Sequence, residues 1–364
     1  MQDERYMRRA LELAEKGAGH VNPNPMVGAV IVKDGKIIGE GYHQKYGELH
    51  AERNALLNCK ESPEGADLYV TLEPCCHYGK TPPCTEAIIE NKIRRVIVGS
   101  LDSNPLVAGK GIQILKEAGI RVTEGVLRKE CDKQNRIFFH FMKTRQPFVM
   151  MKYAMTMDGK IAAYTGASKW ITGEEARKKV QEDRGRFMAI MAGIGTVLAD
   201  DPLLTCRLEG KKSPIRIICD THLRTPLDSA LVRTAQEVPV ILATACGDAE
   251  KKKPFLEAGC QVWELPLKEE GIDLQILMQR LGERNIDSVL LEGGGTLNYA
   301  ALKSRIVNRV QAYIAPKLFG GAEAKTPVEG KGVSLPEEAF RLENPEITVI
   351  GEDFLIESDV AGMV

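Results

Sequence analysis

The sequence is poor in aromatic residues, has no excess of charge of either sign and carries no long apolar run. Each shortage removes a class of function. Phe, Trp and Tyr make up 5% of the chain, too few for a broad base-stacking platform. With 49 Lys and Arg against 50 Asp and Glu, there is no basic excess of the kind that grips phosphate backbones. Both shortages argue against a nucleic-acid partner and for a small substrate. No stretch is apolar enough to span a bilayer. The opening Met1-Gln2-Asp3-Glu4-Arg5 carries both signs of charge and has no apolar export segment behind it, so no membrane partner is expected. Nine cysteines are scattered without the dense spacing of a secreted disulfide scaffold, and they read as thiols of a reducing compartment, some of them metal ligands. The expected location is cytoplasmic.

What is present is a globular composition in a chain of 364 residues, too long for one ordinary core and comfortable for two domains. Met7, Ala10, Leu11 and Ala14 recur at helical spacing in a first helix over 6–16 that ends at Gly17 and Gly19. Val27 to Val32 reads as a strand, and Asp34-Gly35 as a two-residue hairpin turn into Ile37-Ile38. Helices are predicted over 50–58, 85–91 and 112–118, and strands over 68–72, 96–99 and 120–122. That alternation predicts a sheet sandwiched by helices. The pattern breaks over 138–147, where Lys143-Thr144-Arg145-Gln146-Pro147 is polar, so the predicted domains are 1–145 and 147–364. Strand patterns then recur at 148–153, 187–192, 215–219, 238–243, 261–265, 288–291 and 309–314, with helices between several of them.

The sharpest chemical signal is His50-Ala51-Glu52, followed by Pro74-Cys75-Cys76-His77 and Pro82-Pro83-Cys84. One imidazole and two thiolates give zinc three ligands, and a catalytic zinc leaves its fourth position to water. Glu52, two residues beyond the histidine at a helix start, can face that water without ligating the metal and move its proton to a leaving amine. Zinc nucleobase deaminases carry His-x-Glu and then Pro-Cys-x-x-Cys. Here eight residues separate Cys75 from Cys84, so the insert should loop out before a helix that Cys84 opens. Cys76 and His77 are rival ligands, disfavoured because Cys76 adjoins Cys75 and would point elsewhere.

In the second half, two glycine-rich turns each follow an apolar strand: Ala192-Gly193-Ile194-Gly195-Thr196 and Glu292-Gly293-Gly294-Gly295-Thr296-Leu297. Glycines let a backbone approach phosphates, yet neither turn has the Gly-x-Gly-x-x-Gly spacing of a standard dinucleotide fold. Each alone is as readily tight packing as ligand binding. Two in one domain point to a phosphate-bearing cofactor. Met157-Asp158-Gly159-Lys160-Ile161-Ala162 reads by default as a turn between strands.

Together, Asn22-Pro23-Asn24-Pro25-Met26-Val27-Gly28, His50-Ala51-Glu52, the run from Pro74 to Cys84, Asp102-Ser103-Asn104-Pro105 and Gly109-Lys110-Gly111 resemble the bifunctional riboflavin-biosynthesis deaminase–reductase family. The long cysteine spacing is a feature of that family. In the second half, Met157 to Ala162, Ser168-Lys169-Trp170-Ile171-Thr172 and Gly195-Thr196-Val197 extend the likeness over nearly the whole chain. The resemblance implies an α/β protein, with a cytidine-deaminase-like three-layer αβα domain followed by a dihydrofolate-reductase-like domain. It implies zinc at His50, Cys75 and Cys84, proton transfer by Glu52, and a diaminopyrimidinone ribosylamino 5′-phosphate held by Asn24, His43, His77, Lys80 and Asn104. It places NADPH at Ala154, Trp170, Thr196, Asp200, Thr221 and the turn Gly294, Gly295, Thr296 and Leu297. Lys152, Ser168, Arg184, Leu204, Arg207 and Glu292 would meet the ribosylamino phosphate. Arg184 and Arg207 suit it chemically, since a guanidinium binds phosphate through two bonds. Leu204 rests on the resemblance alone, and Lys152 and Glu292 are the candidates for proton donor. A homo-oligomer, at least a dimer, is also implied. The competing readings are a deaminase of another small or tRNA-borne base with an unrelated second domain, and a binding protein with a structural zinc.

Overall fold

The computed structural model describes residues 2–79, 81–104, 107–269 and 271–363. Its contacts divide the chain into two compact units, 1–145 and 146–364.

The first unit runs α1 (Gln2–Glu15), β1 (Gly28–Lys33), β2 (Lys36–Tyr42), α2 (Ala51–Leu57), β3 (Asp67–Leu72), α3 (Cys84–Glu90), β4 (Arg95–Ser100), α4 (Lys110–Glu117), β5 (Arg121–Glu124), α5 (Arg128–Gln134) and α6 (Arg136–Thr144). Its five-stranded sheet has the order β2-β1-β3-β4-β5. The β1–β2 and β1–β3 pairs are antiparallel, and β3–β4 and β4–β5 are parallel. Asp34 and Gly35 both take positive φ, 50° and 76°, as a two-residue turn matching strand twist demands. Because strand side chains alternate between faces, Val30 and Val32 pack with Tyr6, Met7 and Ala10 of α1, while Ala29 and Ile31 pack with Ala51, Ala55 and Ile88 on the opposite face. The result is three layers. A Cβ on Gly41 would lie 2.3 Å from the Ala55 nitrogen and 2.6 Å from the Ala51 oxygen, so β2 and α2 meet backbone to backbone. This contact fixes the start of α2 and the residues it presents.

The second unit runs β6 (Phe148–Thr156), α7 (Glu174–Arg186), β7 (Ala189–Gly193), α8 (Ile194–Asp200), β8 (Ile215–Cys219), α9 (Ala230–Arg233), β9 (Val240–Thr244), α10 (Ala249–Glu257), β10 (Gln261–Glu264), a short β11–β12 ladder (Leu267–Lys268 and Gly271–Ile272), α11 (Leu274–Glu283), β13 (Ser288–Leu291), α12 (Gly295–Lys303), β14 (Arg309–Ala315), β15 (Leu342–Ile350) and β16 (Asp353–Val360). Nine strands form one sheet in the order β10-β9-β8-β7-β13-β6-β14-β16-β15. It is parallel from β10 to β14 and antiparallel at β16 and β15. The central parallel strands β7, β9 and β13 are largely apolar on both faces, as burial on both sides requires. Met151, Met191, Ile217 and Leu291 face α11 and α12, and Ile190, Ile218 and Leu242 face α8, α9 and α10.

The strands and helices expected from periodicity are present, shifted by a few residues at their ends. Three features differ from expectation. The supposed break over 138–147 is mostly helix, because Ile137, Phe138 and Phe141 form a buried stripe on α6. The hairpin β15–β16 is unanticipated. β15 is an edge strand with no buried residue, its alternation is limited to Glu346-Ile347-Thr348-Val349, and Pro345 is tolerated beside its register shift. Finally, the turn after Thr156 leads into α7 rather than into another strand.

Candidate active sites

In the first unit the site lies where β3 ends and α2 and α3 begin. His50 is the N-cap of α2, and Cys84 is the first residue of α3. The insert 76–83 forms neither helix nor strand where described, as its length predicts. His50 Nδ1 lies 3.4 Å from Cys75 Sγ and 3.5 Å from Cys84 Sγ. Tetrahedral zinc, with bonds of about 2.05 Å to nitrogen and 2.3 Å to sulfur, separates those atoms by about 3.5 Å. The three donor atoms lie within 4.8 Å of one another and form the single such cluster among the described residues, so the donor set and its spacing fit zinc. Cys76 and His77 are outside it. Hydrogen bonds donated by Cys84 and then by His50 draw the Cys75 thiol well down. Cys84, beside that thiolate and buried, is pushed well up.

Glu52 is buried at this cluster, 3% exposed. Burial, followed by the neighbouring Cys75 thiolate, pushes its carboxyl up to about 7. Asn24, His43, His77 and Asn104 line the same cavity of about 230 Å³ with His50, Glu52 and Cys75. His43 Nδ1 lies 3.1 Å from the Leu49 carbonyl and its Nε2 lies 3.2 Å from Asn24 Nδ2. If Nδ1 carries the proton, Nε2 accepts from the amide, and burial lowers the pKa of the ring. Asn135 holds the Asn24 loop through paired 2.8 Å bonds to the nitrogen and oxygen of Met26. Lys80 lies outside the described residues.

Sequence reasoning assigned no role to Glu73 or Asp102, which also line this cavity. The Glu73 carboxylate accepts from the backbone nitrogens of Asp102, Gly109 and Ile112 at 3.2, 2.9 and 3.3 Å. It thereby caps α4 from another element and ties the Asn104 loop to the Cys75 segment. Burial pushes the Asp102 carboxyl up to about 6. Asp102 stood in a recognisable motif; Glu73, one residue before Pro74, gave no signal of its partners.

In the second unit the two glycine turns, Thr221 and Glu292 follow the C-terminal ends of the parallel strands β7, β8 and β13, the usual ligand edge of such sheets. The Gly193 nitrogen donates to the Gly293 oxygen at 2.8 Å, so the two glycine turns lie side by side. A Cβ on Gly195 would meet nothing within 4 Å, and one on Gly294 would meet only Thr196 Oγ1 at 3.6 Å. The N-terminus of α12, whose N-cap Gly294 offers no side chain, opens onto this cradle. A glycine-floored hollow at a helix N-terminus fits a phosphate-bearing cofactor.

Arg184 Nε and Nη2 donate to Glu292 at 2.7 and 2.8 Å, and Lys152 Nζ lies 4.0 Å from the same carboxylate. Burial opposes ionisation of Glu292, but Arg184 and Lys152 overcome it and hold the carboxyl at about 2. Burial lowers the pKa of Lys152. Ala154 lies on β6 near Lys152, and Leu204 is buried with φ at 51°. Ser168 and exposed Trp170 sit in the loop after β6, and the Arg177 guanidinium lies 4.6 Å from the indole centroid. Asp200 and Arg207 are exposed, and Thr221 follows β8 with its side chain towards Gly271. Among the described residues, no hydrogen bond or ion pair joins these last three to the Arg184–Glu292–Lys152 group.

No helix among the described residues is long and apolar enough to cross a membrane. Residues 1–100 match the cytidine and deoxycytidylate deaminase zinc-binding region, and residues 147–356 match the RibD C-terminal domain. The riboflavin biosynthesis protein RibD of Actinobacillus pleuropneumoniae is 54% identical, over 98% of this chain and 95% of that one. The Escherichia coli protein of the same name is 39% identical, over 97% and 98%. Among solved structures, Acinetobacter baumannii RibD superposes with a TM-score of 0.87 at 37% identity, covering 99% of each chain. A Thermotoga maritima deaminase/reductase does so with 0.86 at 40%, again over 99% of each. The two units thus have the cytidine-deaminase-like and dihydrofolate-reductase-like folds. With both regions present and relatives matched from end to end, the chain belongs to the RibD family of riboflavin-biosynthesis proteins, which join a deaminase domain to a reductase domain.

Proposed function

We propose that the chain carries out two consecutive steps on one phosphorylated pyrimidine. The first converts 2,5-diamino-6-ribosylamino-4(3H)-pyrimidinone 5′-phosphate and water to the uracil and ammonia. The second reduces the ribosyl group to ribityl with NADPH and a proton, giving 5-amino-6-ribitylaminouracil 5′-phosphate. The Thermotoga maritima relative is named for a deaminase and a reductase of this kind. The observation that carries the reading is a buried Glu52 beside the His50–Cys75–Cys84 cluster, in one cavity with Asn24, His43, His77 and Asn104.

His50, Cys75 and Cys84 hold the metal in this scheme. Zinc, when bound, supplies a water acidified towards a pKa of about 7. Glu52, buried beside the cluster, would take a proton from the attacking water and deliver it to the departing amine. Asn24 and neutral His43 orient the base, His77 and Asn104 hold the remainder of the substrate, and Lys80 binds its phosphate.

In the second unit, Ala154, Trp170, Thr196, Asp200, Thr221, Gly294, Gly295, Thr296 and Leu297 bind NADPH, which supplies the hydride. Lys152, Ser168, Arg184, Leu204, Arg207 and Glu292 hold the ribosylamino phosphate. Glu292, held at about 2, has no proton to give near neutral pH, so Lys152 is the donor to the reduced centre. Two further parts of the reading concern setting. None of the nine cysteines is in a disulfide, which suits a reducing cytoplasm. The edge strand β15 exposes Ile347 and Val349, 70% and 64% accessible, which suits pairing into a homodimer or larger assembly.

The test is to incubate zinc-replete protein with the diaminopyrimidinone substrate, following ammonia first and NADPH absorbance second. Ammonia release before NADPH is added, then oxidation matching the deaminated product, is expected. Glu52→Gln should abolish ammonia release while zinc stays bound and the deaminated substrate is still reduced; wild-type deamination in that variant would refute the assignment. Sedimentation of Ile347→Lys should show dissociation, and an unchanged mass would remove β15 from the interface.

A further inference from the structure

The run Met157-Asp158-Gly159-Lys160-Ile161 supplies no group to either reaction, yet it is the anchor of a strap. Residues 317–329 follow β14 and cross from the Trp170 loop to the glycine turn at α12. At the near end, the Asp158 carboxylate accepts from the Phe319 and Gly320 nitrogens at 3.1 and 2.7 Å, and from Thr156 Oγ1 at 2.5 Å. The Met157 nitrogen donates to the Lys317 oxygen at 2.9 Å. In the middle, the Ile161 nitrogen donates to the Lys325 oxygen at 2.9 Å. At the far end, Asn298 Nδ2 donates to the Pro327 oxygen at 2.8 Å and the Glu329 nitrogen to the Gly295 oxygen at 3.1 Å. A Cβ on Gly295 would lie 2.7 Å from the Thr326 oxygen, so the strap rests directly on the floor of the cradle.

The strap also holds the other wall. Lys317 Nζ donates to the carbonyl oxygens of Ile171 and Trp170 at 2.8 and 3.4 Å. Arg177 supports the same segment, through the Thr172 oxygen at 2.7 Å and its position against the indole. One strap therefore ties the Trp170 loop and the Gly294–Leu297 turn to one fixed point, the Asp158 carboxylate. The Thr156 hydroxyl and then the Gly320 nitrogen keep that carboxyl at about 2, so the latch is ionised throughout the working pH range.

We propose that Asp158 and Lys317 are positioning residues for the dinucleotide: through the strap they set the spacing between the Trp170 wall and the glycine cradle that NADPH must span. This rests on the reading of that cleft as the NADPH site. Neither residue need touch the cofactor. Both are exposed, so their loss removes the latch without opening a cavity in the core.

The experiment uses the full, zinc-replete chain and the variants Asp158→Ala, Asp158→Asn, Lys317→Met and Lys317→Arg. Asp158→Ala and Lys317→Met should each raise the KM for NADPH by about tenfold or more, the effect of losing one charge-assisted hydrogen bond. Their kcat, their KM for the deaminated pyrimidine and the rate of ammonia release should stay within about twofold. Asp158→Asn, which keeps one acceptor oxygen, and Lys317→Arg should recover part of the loss. An unchanged KM for NADPH would overturn the proposal. So would a lowered melting temperature with both KM values and kcat worsening together, which is the pattern of a purely structural role. The site reading fails separately: if NADPH does not quench Trp170 fluorescence in the wild type, measured against Trp170→Phe, the cleft is not the cofactor site, whatever the variants do.

Discussion

The buried group Arg184–Glu292–Lys152 makes a prediction whose size follows from the geometry and whose test needs no substrate. The Glu292 side chain is 9% exposed, with Arg184 at 2.7 Å and Lys152 at 4.0 Å. Its carboxyl lies at about 2 against a reference of 4.5. A pKa depressed on folding stabilises the native state at every pH above the unfolded value. The contribution shrinks as pH falls below that value and is gone once pH passes through the folded one. A gap of two to three units, at about 1.4 kcal/mol each, amounts to about 3 kcal/mol near neutral pH. Glu292→Gln keeps the shape and removes the charge. It should therefore lower stability by about 3 kcal/mol at neutral pH, and by only about 1 kcal/mol near pH 3. For a unit of this size that is a fall of roughly 6–12 °C in melting temperature at neutral pH. The chain offers a selective probe. Its two tryptophans, Trp170 and Trp263, both lie in the second unit, and Trp263 is in the core at 7% exposure. Tryptophan fluorescence of the full-length protein thus follows unfolding of that unit alone. A gap between wild type and variant that does not narrow as pH falls would show that Glu292 is not held ionised by its two cations.

Four other outcomes are expected. Cys84→Ser should leave less than about half the zinc bound after dialysis against a mild chelator, as measured by atomic emission, with reduction of the deaminated substrate unaffected. A strong chelator on the wild type should stop ammonia release and spare NADPH oxidation; loss of both activities together would contradict separate sites. Gly41→Ala drives a methyl into the backbone of α2 at 2.3 Å from the Ala55 nitrogen. It should displace Glu52 and cut deamination by about a hundredfold, whereas a wild-type rate would mean that β2 does not set the helix. Arg216 is fully buried and donates to the oxygens of Leu203, Thr234 and Val238. Arg216→Met should cost at least about 3 kcal/mol in tryptophan-monitored urea unfolding, since three carbonyls lose their partner.

How much of this was legible in the sequence depends on whether the physics is local. The metal cluster was legible because two of its ligands sit at helix starts that their own neighbours define, His50 ahead of Ala51-Glu52 and Cys84 after Pro82-Pro83, while Cys75 follows the end of β3. Spacing and residue type together carried the chemistry. The apolar strands were legible for the same reason, since burial on both faces of a parallel sheet writes itself as a short apolar run. What failed to show was whatever depends on a partner far along the chain. Glu73 caps α4 across 36 residues, and no rule of helix capping looks that far from the helix. The edge strand β15 escaped because its polar–apolar alternation is confined to Glu346-Ile347-Thr348-Val349, directly after Pro345.

The glycine turns show how topology supplies what sequence withholds. Read singly, Gly193-Ile194-Gly195 and Gly293-Gly294-Gly295 were each as consistent with tight packing as with phosphate binding. They are about 100 residues apart in the chain, yet β13 pairs between β7 and β6 rather than beside β14, which places both turns at the same edge. The packing explanation holds for part of each turn, since the Gly193 nitrogen bonds the Gly293 oxygen and Gly295 lies against Thr326. It fails for Gly195 and Gly294, where an added Cβ would meet open space or a single hydroxyl. Glycine at those two positions is not required by anything the protein itself places there. Space kept free at a helix N-terminus is what a bound phosphate needs, and the strand order is what joins two ambiguous turns into one binding cradle.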